Sequence, residues 1–244
     1  MIRPFITVAV FVALWWAVTV FNAIPPFMLP APQDVAAALW AQSGYLAANA
    51  WVTFGEIMLG LFLGTFLGGL SALGIAASRG LQRWLWPILV LSQAIPVFTL
   101  APLLVLWLGF GMASKVAMAV LVIFFPITAN FLDGLRRTEP GWLDLARTMN
   151  ASPLRLLLHL RLPAALPAFA SGLRIAAAIA PIGAVLGEWV GASSGLGYVM
   201  INANARIQTD LMFAALVILA AMTIGLYVIV DAVLRRLLRW APGG

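Results

Sequence analysis

The chain has 244 residues, 64% of them hydrophobic and only 9% charged, with a mean hydropathy of +1.04. A globule of this size cannot hide that much apolar surface from water, so the composition points to lipid as the solvent and excludes an ordinary soluble domain. The formal charge of +6 comes from basic residues flanking long apolar runs, not from an aromatic-interleaved face for nucleic acid, and the absence of cysteine removes disulfides, thiolate metal sites and thiol nucleophiles together.

A bilayer core about 30 Å thick needs roughly 20 apolar residues per helix. In chain order, the stretches that meet this requirement run over 5–21, 51–77, 85–110, 115–132, 164–189 and 211–234. They predict an all-α integral membrane protein with about six transmembrane helices in a single domain, 1–244. The first stretch, after Arg3, could also be a cleavable signal peptide; its length and the lack of a small-x-small cleavage site favour a retained span. Between the first two spans, Ile24–Pro32 carries four prolines and predicts an extended entry, followed by a short interfacial helix over Gln33–Trp40. The second span places Gly60, Gly64 and Gly68 on one helix face, a pattern for close helix packing, with pore lining as the lesser alternative.

Arginine placement sets the orientation. With the N-terminus inside, the inner segments hold Arg3, Arg79, Arg83, Arg136, Arg137, Arg147, Arg155, Arg161, Arg235, Arg236 and Arg239. The outer segments hold only Lys115 and Arg206, and Arg174 lies within the fifth span. This asymmetry predicts cytoplasmic N- and C-termini in a bacterial cytoplasmic (inner) membrane protein.

The inner connection, residues 133–163, is long for a chain whose other connections are mostly short, and it carries helix punctuation. Glu139-Pro140 opens one helix, Asn150 stops it in a left-handed conformation, Ser152-Pro153 caps a second, and Pro163 closes that one. Two short amphipathic helices make a docking knob for a protein partner; an interfacial helix lying on anionic lipid is the competing reading.

Asp144-Leu-Ala-Arg-Thr-Met-Asn150, nine residues, then Leu160-Arg161-Leu162-Pro163 resembles the EAA signature of ABC importer permeases: EAA, three residues, G, nine residues, I-x-L-P. Asp144 replaces Glu, Leu145 the first Ala, Leu160 Ile and Asn150 Gly; Asn is the next-best residue for a left-handed turn. The stretches Leu29–Pro32, Ile95–Gly111, Phe124–Ile127 and Gly195–Tyr198 extend the resemblance over nearly the whole chain, toward the nitrate, taurine, sulfonate and thiamine-precursor branch. The resemblance implies a cytoplasmic coupling loop that sits in a groove of an ATP-binding subunit, with Asp144, Ala146, Arg147, Asn150, Ala151 and Ser152 transmitting its closure. It also implies two ATP-binding subunits, a second permease copy and an external substrate-binding protein.

No G-x-x-x-x-G-K-[ST] phosphate loop occurs, so the chain is expected to be a transport subunit that binds no cofactor and leaves ATP hydrolysis to its partner. His159, the only histidine, lies in the inner loop, and no acidic pair is spaced for an intramembrane metal or aspartyl site, which argues against an intramembrane hydrolase. A secondary transporter or channel is the other alternative, but Glu56, Glu188 and Asp231 all stand toward span ends, not at mid-depth. Gln93, Pro96 and Thr99 beside the Ile95-Pro96 and Ala101-Pro102 breaks are candidates for the translocation path, with a packed proline kink as the competing reading. Glu188 and the Gly191–Gly197 turn are candidates for the outer gate or binding-protein interface. The stretches Phe125–Leu135 and Pro181–Gly191 resemble permeases assigned to thiamine-precursor pyrimidines such as hydroxymethylpyrimidine more than sulfonate or nitrate members. Gln93, Thr99, Trp107 and Trp189 suit a neutral heteroaromatic cargo.

Overall fold

In this computed structural model, which describes residues 2–21 and 24–241, every regular element among the described residues is helical. In chain order they are α1 (Ile2–Phe21), α2 (Pro32–Ala41), α3 (Ser43–Ala77), α4 (Arg79–Ser92), α5 (Val97–Leu108), α6 (Met112–Arg136), α7 (Pro140–Thr148), α8 (Pro153–Leu156), α9 (Leu162–Trp189), α10 (Leu196–Ala205) and α11 (Thr209–Leu237). Four unbroken helical stretches are long and apolar enough to cross a bilayer: α3, α6, Pro153–Trp189 and α11. Residues Ile6–Phe21 of α1 are apolar but form a shorter stretch.

One expectation is sharpened and two are corrected. The stretch over 85–110 breaks at Ile95-Pro96 into two helices meeting at 101°, which together count as one broken span or a re-entrant pair beside the four unbroken ones, and α1 adds a further helix of 20 residues. The cause is local. Pro96 has no N–H to continue the ladder and disfavours helical backbone at Ile95, while α4 ends in a tight turn with Gln93 N–H donating to Val90 O and Ala94 N–H to Leu91 O. Pro163 does not close a helix either. α8 runs through a π-helical turn, Leu157–Arg161, directly into α9, giving one 37-residue helix, Pro153–Trp189. The wider π turn lies where the Pro163 ring would crowd the His159 carbonyl and removes that conflict without breaking the helix. The proline-rich linker also departs from an extended entry: Met28 and Leu29 N–H both donate to Pro25 O in a tight turn that precedes α2.

α6 is the central element, held between α3 and α9. A methyl added at Gly60 would lie 2.5 Å from Ala119 Cβ, one at Gly64 2.5 Å from Ile123 Cγ1, and one at Gly68 3.0 Å from Ile127 Cγ2. From the other side, a Cβ at Gly183 would lie 2.6 Å from Ala119 Cα. The four-residue glycine spacing is therefore a packing seam. In lipid, where no hydrophobic drive joins apolar helices, close backbone approach and dispersion take its place. Ile57, Ile123, Ile127, Ala176, Ala180 and Ala184 fill the resulting core.

α11 lies at the periphery, with Ile224, Val228 and Ile229 exposed. It is tied to α9 by Arg174 Nε–Asp231 Oδ1 at 2.7 Å, and Arg235 Nε reaches Asp231 Oδ2 at 2.8 Å. At the opposite end of the bundle, α2, the starts of α3 and α11, and α10 share a cluster of Val35, Ala38, Leu46, Leu196, Val199 and Ala214. Trp15 Nε1 donates to Pro30 O at 3.0 Å, fastening α1 to the linker.

Candidate functional site

The loop between α6 and α9 is built by local rules. Pro140 opens α7, and Asn150 ends it at φ 56°. Asn150 N–H donates to Arg147 O at 2.9 Å and Ala151 N–H to Ala146 O at 3.0 Å, the pair of bonds that closes a helix around a left-handed residue. Ser152 then caps the next helix, its Oγ accepting from Arg155 N–H. Asp144, Arg147, Asn150 and Ser152 are exposed, while Ala146, Ala151, Leu160, Leu162 and Pro163 are half-buried, Leu162 against the core shared by α3 and α6. Asp144 and Arg147 pair at 2.9 Å in solvent, a contact worth little energy that orients both side chains. Between them α7 and α8 expose Trp142, Leu145, Met149 and Leu154. A row of large apolar side chains beside fixed charges is a surface made to be covered. Beneath α7, a 380 Å³ crevice is lined by Arg137, Trp142, His159, Pro163 and Trp240.

The α4–α5 bend carries the other predicted group. Gln93, Pro96 and Thr99 are exposed together there, with Gln93 Nε2 donating to Ser92 Oγ at 3.2 Å and Thr99 Oγ1 to Pro96 O at 2.7 Å. Irregular backbone at membrane depth is tolerated only inside protein or along a watery cavity. The bend therefore faces one or the other.

Glu188 stands apart from that group. It is 2% exposed, at the end of α9 away from the α6–α9 loop, in a polar knot that sequence reading did not assemble. Its Oε1 accepts from Thr53 Oγ1 at 2.6 Å, and its Oε2 accepts from Gly197 N–H. Thr53 Oγ1 in turn accepts from Leu196 N–H at 2.8 Å, and Asn49 Oδ1 from Gly195 N–H at 2.8 Å. Glu56, 1% exposed, places its carboxyl against that of Glu188, with Oε2 lacking a hydrogen-bond partner. Lys115, 5% exposed, packs tightly beside Glu188, a Cβ added at Gly187 lying 2.9 Å from Lys115 Cα, and its Nζ donates to Phe110 O at 2.6 Å and Gly111 O at 2.9 Å. The charged residues of this knot were visible in the sequence one by one, but nothing in the sequence pairs positions 135 residues apart. Among the described residues no group of three or more His, Cys, Asp or Glu could hold a metal.

Residues 60–241 match the family of binding-protein-dependent transport system inner membrane components. The chain belongs to that family. The permease is 56% identical over 236 residues to a "Probable ABC transporter permease protein" of Haemophilus influenzae, covering 97% of this chain and 96% of the relative. It is 39% identical over 210 residues to the formylaminopyrimidine transport permease protein ThiX of Halalkalibacterium halodurans, covering 86% and 84%. Relatives at 30% identity include a taurine transport permease of Escherichia coli. The fold matches a chain of the inward-facing MetNI methionine ABC transporter with a TM-score of 0.70 at 20% identity, over 80% of this chain and 97% of that one. The permease is thus the membrane component of an ABC importer, a system that also needs an ATP-binding subunit and a substrate-binding protein.

Proposed function

We propose that two copies of the permease enclose a central path, that the α7–α8 loop of each docks on one of two ATP-binding subunits, and that the cargo is a small neutral heteroaromatic of the thiamine-precursor pyrimidine class. Both termini and the α6–α9 loop lie in the cytoplasm, as the arginine asymmetry favours. An external binding protein delivers the cargo, ATP-driven closure of the partner subunits draws the two loops together, and the path switches the side on which it is open. The chain itself does no chemistry on ATP.

The observation that carries the coupling role is the loop: a left-handed turn at Asn150 sets exposed α7 directly beside a helix that continues unbroken into a membrane span. A photo-crosslinker at Met149, 75% exposed, should trap the ATP-binding subunit in native membranes. Crosslinks to lipid alone would establish the interfacial-helix alternative. The cargo reading is supported by the formylaminopyrimidine relative and by the path candidates Gln93 and Thr99, which offer hydrogen bonds without a fixed cation. Arg174, the one cation well inside a span, is engaged by Asp231. Uptake of labelled hydroxymethylpyrimidine and taurine at matched concentrations, with and without the operon, tests this. Operon-dependent taurine uptake with none of the pyrimidine overturns the cargo and leaves the coupling role standing.

A further inference from the structure

The buried knot at the outer end joins segments that the transport cycle has reason to move together. α3 contributes Asn49, Thr53 and Glu56, α6 contributes Lys115, and α9 contributes Glu188. On one side the knot holds three consecutive amides, Gly195, Leu196 and Gly197, at the entry of α10. On the other side, Lys115 holds the carbonyls of Phe110 and Gly111, the turn that ends α5. α5 connects this turn to the Gln93–Pro96 bend. The two sides also touch directly. The turn at Gly191, φ 91°, seats against Phe110 and Val105, and a Cβ there would lie 2.7 Å from Phe110 Cδ1 and 3.6 Å from Val105 Cγ1.

Burying two carboxyls and an ammonium in this way is costly unless most of their hydrogen-bonding capacity is met, and hydrophobic residues of the same volume would often be as stable. What an ionic knot adds over a greasy one is directionality: Glu188 is held by the Gly197 amide and Lys115 by the Phe110 and Gly111 carbonyls, backbone groups on two different parts of the fold. We propose that Lys115 and Glu188 are positioning residues of the outer gate, which through one buried knot make the outer end of α5 and the entry of α10 move as a unit. The gate role rests on the transport reading above; the linkage itself is a property of the folded chain and is tested separately.

The test uses the full importer in nanodiscs, with hydrogen exchange followed by mass spectrometry and ATPase measured with and without loaded binding protein. Thr53→Val removes the hydroxyl at the α10 side, and its diagnostic readout is the far side, the amides of Gly109 to Met112. Lys115→Met releases the α5 turn, and its diagnostic readout is Gly195 to Gly197. Each is expected to raise exchange across the knot by about fivefold or more, the factor for losing one net hydrogen bond. Each is also expected to raise basal ATPase while lowering its stimulation by the binding protein, and Thr53→Ser is expected to restore both readouts. Exchange confined to the mutated side in both variants refutes the linkage. Cross-knot exchange with unchanged stimulation refutes the gate role, and failure of both variants to assemble, with Thr53→Ser no better, reduces the knot to a folding determinant and also refutes it. If wild-type importer shows no binding-protein stimulation at all, the transport reading fails while the exchange result still decides the linkage.

Discussion

Asn150 offers the sharpest handle on coupling, because one dihedral angle decides the shape of the loop. Its φ of 56° is cheap for Gly and Asn and costs other residues roughly 1–2 kcal/mol. Asn150→Gly should therefore couple as well as the native residue. Asn150→Ala should leave the loop in its docking shape about 5–30-fold less often, and the apparent affinity for the ATP-binding subunit should fall by the same factor. Asn150→Pro locks φ near −65° and deletes the N–H that donates to Arg147 O, a combined loss of about 3 kcal/mol or more. The assay is ATP-driven uptake and binding-protein-stimulated ATPase in proteoliposomes, normalised to permease inserted, since the loop contributes little to burial in lipid. The expected order is Gly equal to Asn, then Ala, then Pro near background. Wild-type uptake by Asn150→Pro would refute the claim that this turn presents the docking surface.

Gly60→Ala places a methyl 2.5 Å from that of Ala119, about 1 Å inside contact distance, and should cost about 1–3 kcal/mol in a detergent unfolding assay; adding Ala119→Gly should return most of it. Ala151→Trp should abolish stimulated ATPase while leaving membrane insertion intact, because Ala151 is half-buried at the junction of α7 and α8. Single cysteines introduced at Ser43, Ser152 and Ser193 into this cysteine-free chain should label with an impermeant thiol reagent in intact cells at Ser43 and Ser193 only; labelling at Ser152 would reverse the orientation. Asp231→Asn should lower thermal stability more than the double change Asp231→Asn with Arg174→Gln, because the single change leaves Arg174 without its anion.

What sequence alone made legible follows the range of the interactions. Pro140, Asn150, Ser152 and Pro153 act on neighbours within a turn, so the loop's helix start, left-handed stop and cap all appear where their chemistry places them. The Gly60, Gly64 and Gly68 stripe announced a close approach, though not that Ala119, Ile123 and Ile127 receive it. Pro163 was misread because a proline signals a break only when the carbonyls before it cannot adjust, and the π turn at Leu157–Arg161 lets them. The break in the third span was legible at Ile95-Pro96, but its angle was not. The composition of that span is continuous, and the 101° bend depends on how Ser92–Pro96 leave the ladder. The knot around Glu188 was illegible because its partners come from α3, α6 and the α10 entry, brought together by the tertiary fold and by no local rule.

The continuity of Pro153–Trp189 has a consequence for phase. Thirty-seven residues at 1.5 Å each span about 55 Å, so the same rod that begins beside the Ser152 cap ends next to Glu188. In such a rod, azimuth at one end is locked to azimuth at the other. Inserting one residue between Ala164 and Ile175 would turn the far end by about 100°, carrying Glu188 away from Thr53 and the Gly197 amide, whereas adding a whole turn would restore the angle and shift only the height. Relatives of this permease are therefore expected to vary the length of this helix in steps of three or four residues, while the α6–α7 connection is free to change by one.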